Sequence, residues 1–171
     1  MEELIPRTVY GPLDGRNFEY AWRGAYLEAF LLSDVGLKRK KNEDSCLLCA
    51  PEAQQVVDKR GYLFAVADGM GGATAGEYAS RMALLVLART YFEGEGPTIA
   101  SNLRRALERA NNRVFEEAEV NPVYSGMGTT VSSAVFHGKW AYVVQVGDSR
   151  VYLLREGIGI QQITHDHSLV A

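Results

Sequence analysis

The apolar positions of this chain change rhythm twice. Up to residue 67 they come in short runs with polar or glycine-rich breaks. Between 74 and 119 they fit helices, and from 130 onward the short runs return. Residues 25–33, 45–50 and 62–67 read as strands, the first two around the charged loop DVGLKRKKNED, with 54–59 a polar connection. Further upstream Phe18, Tyr20 and Trp22 alternate, which predicts a short docking strand. Thr74 and Glu77 have the spacing of a capping box, so a helix is expected from 74 to about 92, ended by EGEGP. A second helix is expected over 98–119, burying Ile99, Leu103, Leu107, Ala110 and Val114. Its Arg104, Arg105, Arg109 and Arg113 read as a solvated face, because Arg104–Glu108 and Arg113–Glu117 pair at i,i+4. Strands 130–136 and 140–146 flank HGK, and 150–155 and 160–164 flank EGIG, two hairpin signals. Strands on either side of a helical block imply an α+β layered fold rather than repeated βαβ units.

Composition narrows the class without naming a chemistry. The chain has 171 residues, 47% hydrophobic and 23% charged, with a net charge of −3, as expected of one globular domain. That mild acidity gives no basic face for nucleic acid. The longest apolar run, 82–88, is too short to span a bilayer. Glu2 and Glu3 have the wrong charge for a secretory or transit leader, so a cytoplasmic protein is expected. Cys46 and Cys49 spell C-x-x-C, a spacing used by redox pairs and zinc sites. On a strand, however, residues three apart point to opposite faces, and two buried structural thiols are the expectation.

Three acidic clusters sit at strand ends: Asn42–Asp44, Ala67–Gly69 and Gly147–Ser149. Any one of them alone reads as an ordinary turn. Together they could meet at one rim as hard oxygen ligands, suited to Mg²⁺ or Mn²⁺. Asp68 ends the greasy run 64–67, where a carboxylate needs a compensating charge, and Gly69 allows close approach to an ion. The glycine turn fits neither a dinucleotide fingerprint, because Thr74 stands where glycine or alanine is required, nor a P-loop, because no Lys follows.

SDVGLKRKKNEDS, VADGMGGATAGEYAS, GMGTT, VGDSRVYLLREG and ITHDHS occur in order from Ser33 to Ser168. In order and separation they resemble the metal-dependent protein phosphatases of type 2C, above all the bacterial members. The resemblance implies an αββα sandwich, two antiparallel sheets flanked by helices, with metals in a cleft at one end. It implies hydrolysis of phosphoserine and phosphothreonine on proteins by a hydroxide bridging two Mn²⁺ or Mg²⁺ ions, with a third ion in a complete member. Asp68 would bridge the pair, the Gly69 carbonyl would ligate one ion, and Asp148 would serve the third site. Glu43 and Asp44 match the acidic pair that holds metal-bound waters. Arg39 aligns with the arginine that grips the substrate phosphate, whose planar fork Lys cannot imitate. Lys38, Lys40 and Lys41 read as solvated charges adding local positive potential. Thr129, Thr130, Ser132 and Ser133 read as packing and turn residues.

Two departures from the family pattern shape the expectation. Met70 replaces a histidine of eukaryotic relatives, and His165 and His167 read as structural. The matched motifs end at Ser168, before the Asp-Gly and Asp-Asn motifs that complete the second metal site in the family. The reading is therefore a 1–24 N-terminal extension followed by the N-terminal portion of a type 2C-like domain over 25–171, incomplete at its C-terminal end. Its partners would be a phosphorylated protein substrate, an opposing Ser/Thr kinase and, to cover the open sheet, a second copy of the chain in a homodimer or higher oligomer. No nucleic-acid or membrane partner is expected. The alternative is a catalytically impaired module that binds a phosphoprotein or regulates a partner.

Overall fold

A computed structural model describes residues 7–167. The last residue of the ITHDHS motif and the first six of the expected extension lie outside the described residues. Ten strands and three α-helices follow in chain order: β1 (Arg7–Gly11), β2 (Phe18–Arg23), β3 (Glu28–Ser33), β4 (Asp44–Ala50), α1 (Gln54–Arg60), β5 (Tyr62–Met70), α2 (Ala73–Glu93), α3 (Ile99–Val120), β6 (Gly128–Thr129), β7 (Val131–His137), β8 (Trp140–Val146), β9 (Tyr152–Arg155) and β10 (Gly159–Gln162). The main antiparallel sheet runs β1-β4-β5-β7-β8, with β6 continuing the pairing along β5. The hairpins β2–β3 and β9–β10 form two small sheets of their own. The expected α+β layering is thus present.

Strand alternation divides the main sheet between two cores. Leu47, Cys49, Leu63, Ala65, Val131 and Val135 face α2 and α3, where they meet Ala83, Leu87, Tyr91, Leu103 and Ala110 in one buried cluster. Cys46, Leu48 and Ala50 face the other way and pack with Leu31 of β3, flanked by Phe18, Tyr20 and Trp22 of β2. Cys46 and Cys49 therefore belong to different cores, as alternation predicts. Both are free thiols, and burial pushes Cys46 up to about 11 and Cys49 up to about 12.

Several expectations need correction. The boundary at residue 24 falls inside the β2–β3 turn, where Arg23 pairs with Glu28 and their ions meet at 2.8 Å. Upstream, β1 is the edge strand of the main sheet, in register from Arg7↔Ala50 to Gly11↔Cys46. Residues 7–24 are built into the same layers as β3 and β4. The polar connection 54–59 is the helix α1, which has no side-chain cap at its start. Its last residue, Arg60, is buried, donates to the Gly94 carbonyl and accepts from the Tyr91 hydroxyl through its own carbonyl at 2.6 Å. Tertiary contacts, not local signals, hold that helix.

The capping box at Thr74 does not form either. Gly72, at φ 88°, is the N-cap of α2 and offers no side chain, while Glu77 lies 3.9 Å from Lys41 and 4.0 Å from Arg81. A capping box does form on α3, between Thr98 and Ser101. The buried stripe of α3 is rotated from the expected one, with Asn102 and Ala106 fully buried and Ile99 and Leu107 at its margin. Asn102 is tolerated there because its amide exchanges hydrogen bonds with the Gly96 backbone, at 2.7 and 3.1 Å. The predicted Arg104–Glu108 and Arg113–Glu117 pairs form on the outer face, at 2.9 and 2.8 Å. Among the described residues no helix is long and apolar enough to cross a membrane.

Candidate metal and phosphate site

The ends of β4 and β5 bring two carboxylates side by side. Asp44 and Asp68 are register partners, on the sheet face turned away from α2 and α3. Burial pushes the Asp44 carboxyl up to about 6, helped by the charge of Asp68 and a hydrogen bond to it; Arg39 opposes the shift. Two acids in contact, one with its carboxyl pushed up by burial and by its neighbour, favour the approach of a cation. A cavity of about 250 Å³ opens here, lined among others by Leu32, Ser33, Asp44, Asp68 and Ser149. Arg39 lies within electrostatic reach of Asp44, is exposed, and makes no ion pair among the described residues. It is available to an anion.

Backbone contacts fix both acids more tightly than their exposure suggests. The Asp68 amide donates to Thr130 Oγ1 at 3.0 Å, and its carbonyl accepts from the Thr130 amide at 2.9 Å and from Thr129 Oγ1 at 3.0 Å. The Gly69 amide donates to the Glu43 carbonyl at 3.2 Å, and Ser80 Oγ of α2 lies 2.7 Å from the same oxygen. A Cβ on Gly69 would collide with the Gly76 carbonyl, so only glycine lets the end of β5 lie against the first turn of α2. The Glu43 carboxylate lies against Gly76 as well, where a Cβ would meet both it and the Gly69 backbone. Before β4, buried Asn42 accepts from the Asp44 amide at 3.0 Å and donates to Ser33 Oγ at 2.7 Å and to the Arg16 carbonyl at 3.0 Å.

Sequence reasoning does not single out Asn42 as a support, although it stands in the NED cluster. It reads Thr129 and Thr130 as packing residues, yet they hold Asp68 in place. The adjacent threonines are visible in the sequence, but their partner 62 residues earlier is not.

The third acidic cluster reaches the same rim through Thr130. Thr130 Oγ1 lies 2.6 Å from Ser149 Oγ, and Ser132 Oγ donates to the Ser149 carbonyl at 2.9 Å. Asp148 itself is exposed. Among the described residues no three His, Cys, Asp or Glu side chains converge into a group that could hold a metal ion. The structure thus joins Asp44 with Asp68 directly and ties in the Asp148 turn by its neighbour. Met70, at the end of β5, is exposed, as are His165 and His167. The donors present are all oxygen, and the Asp44–Asp68 pair carries unbalanced charge, which fits a hard divalent cation.

Similarity to known proteins gives the family to which a chain with this fold and this rim belongs. The description of protein phosphatase 2C matches residues 30–170, and the chain belongs to that family. It is 38% identical over 138 residues to the serine/threonine protein phosphatase PstP of Mycobacterium tuberculosis, covering 81% of this chain and 24% of that protein. It is 34% identical over 148 residues to the serine/threonine phosphatase stp of Listeria monocytogenes, covering 84% of this chain and 56% of that one. The solved catalytic domain of PstP in complex with two manganese ions superposes with a TM-score of 0.64 at 34% identity, covering 95% of this chain and 58% of that one. The chain spans from about a quarter to just over half the length of these curated relatives.

Proposed function

We propose that this chain carries the N-terminal part of a metal-dependent protein serine/threonine phosphatase. The observation that carries the reading is the Asp44–Asp68 pair, two acids in register with Arg39 beside them. In this reading Asp68 and the Gly69 carbonyl hold Mn²⁺ or Mg²⁺, and Asp148 serves a further ion. Glu43 and Asp44 orient water around the ions. Divalent cations held by these residues would supply Lewis acidity and would activate water for phosphate-ester hydrolysis. Arg39 binds and orients the phosphate through its fork, and Asp68 aims its carboxylate from a strand end fixed on both sides. No side chain needs to form a covalent bond.

The substrate class is phosphoserine and phosphothreonine in proteins, with a Ser/Thr kinase as the opposing activity and the cytoplasm as the compartment. Exposed Val66, Phe136, Leu154 and Ile160 support a homodimer or higher oligomer of this chain. A second reading is phosphoprotein binding without turnover, in which exposed Arg39 holds the phosphate. Hydrolysis of p-nitrophenyl phosphate by this chain, with and without Mn²⁺, separates the two. Metal-dependent turnover lost in Asp68→Asn supports the phosphatase. Phosphopeptide binding that needs Arg39 but yields no phosphate supports the binding module.

A further inference from the structure

A second knot of polar contacts lies where the segment after β10 returns to the Asp148 turn. The Ile163 amide donates to the Val151 carbonyl, the Val151 amide to Thr164 Oγ1, and the His167 amide to the Gly147 carbonyl, each at 2.9 Å. Across this strap Arg150 grips Asp166 with its fork: Nε lies 3.0 Å from both carboxylate oxygens and Nη2 is 2.6 Å from Oδ2. Gln162 Nε2 donates to the Thr164 carbonyl at 2.9 Å.

The surroundings make this ion pair unlike an ordinary surface one. Every residue of β9 and β10 is exposed, and the two strands form a sheet of their own, so among the described residues no apolar core holds this hairpin. The Asp148 turn lies between β8, anchored in the main sheet, and β9, which is not. Its neighbour Ser149 is tied to Thr130, and Thr130 to the Asp68 backbone. A path therefore runs from Asp166 to Arg150 by the ion pair, along the peptide bond to Ser149, and from Ser149 through Thr130 to Asp68 by hydrogen bonds. A bidentate fork fixes distance and angle together, which a point charge does not.

We propose that the Arg150–Asp166 pair is a positioning clamp that sets the Asp148 turn against the Asp68 strand end. Arg150 and Asp166 act through the turn and touch neither ion nor phosphate. The consequence for metal binding rests on the function proposed above. The geometric part does not.

Two measurements on the full 171-residue chain test it. Without metal, backbone amide NMR of Asp166→Asn is expected to show shifts that reach Gly147–Ser149, Thr130 and Asp68. Changes confined to residues 162–167 overturn the clamp. With Mn²⁺, read by electron paramagnetic resonance of the free ion, Asp166→Asn and Arg150→Ala are both expected to weaken binding, by about 10-fold. Through-space charge alone predicts opposite signs, since removing a cation favours a divalent ion and removing an anion disfavours it; that result also overturns the clamp. Arg150→Lys keeps the charge without the fork and is expected to follow Arg150→Ala; wild-type binding by this variant counts against the proposal. If the wild-type chain binds no Mn²⁺ while the amide shifts still reach Asp68, the metal reading falls and the clamp is supported.

Discussion

The two faces of the main sheet are built from the same strands and do opposite work. Toward α2 and α3, β5 presents Leu63, Ala65 and Ala67, each no more than 4% exposed, and β7 presents Val131 and Val135. On the other face the same strands present Phe64, Val66 and Asp68, with Val66 and Asp68 exposed. One face is a sealed apolar core, where volume decides stability. The other is sealed only in part, where Phe64 packs against the smaller core of Leu31, Cys46, Leu48 and Ala50, and it leaves Val66 and Asp68 exposed at the end of β5. Alternation along a single strand separates the buried packing positions from the candidate site by one residue.

The sharpest way to break this contrast is Asp68→Asn. It should cut metal-dependent hydrolysis by more than the about 100-fold seen on losing an outer-shell group, while leaving the fold as stable or more so. Near-wild-type turnover at saturating Mn²⁺ would remove Asp68 from the site. On the helix-facing side, Leu63→Ala should cost about 2–5 kcal/mol in urea unfolding. The same truncation at exposed Val66 should cost under about 1 kcal/mol. Equal costs would mean the open face is covered in solution.

Arg39→Ala should raise KM for phosphate esters by about 10-fold with little change in metal affinity, because it removes a ground-state phosphate contact. Calorimetry showing collapsed metal affinity at unchanged KM contradicts that role.

The smallest expected effect is a pH slope in metal-free protein. Asp44 is raised from 3.8 to about 6 on folding, so its contribution is full below 3.8 and is lost as pH rises through about 6. After discounting for partial exposure the loss is about 1 kcal/mol. It appears as the difference between wild type and Asp44→Asn in urea midpoints with EDTA, and saturating Mn²⁺ should reduce it. A wild-type curve parallel to that of Asp44→Asn would show that neither burial nor Asp68 raises the Asp44 carboxyl.

Most strands and both long helices were legible because their apolar spacing is local. Cys46 and Cys49 were legible for the same reason, since a period of two assigns them to opposite faces. Residues 54–60 were not legible: a seven-residue helix without a side-chain cap carries little local signal, and its anchors are Tyr91 and Gly94. The Thr74 capping box misled because Gly72, with no side chain to accept, took the N-cap position. Of the site, Asp68, Asp44 and Arg39 could be picked out by motif. That Asp44 and Asp68 would be register partners required the β4–β5 alignment, and the supporting roles of Asn42 and Thr130 required contacts distant in sequence.

The pairing of β5 with β7 also bears on folding kinetics. β4 and β5 are joined by a short helix and can meet early, whereas Tyr62↔Phe136 closes a loop containing all of α2 and α3. Such non-local closure is slow, because chain entropy is lost before contacts compensate. The Asp68 amide gains its partner Thr130 Oγ1 only once the segment leading into β7 has docked. The two acids can therefore sit side by side in a half-zipped sheet before the strand end that aims them is locked, and a cation present during refolding would act on that last step rather than on the first.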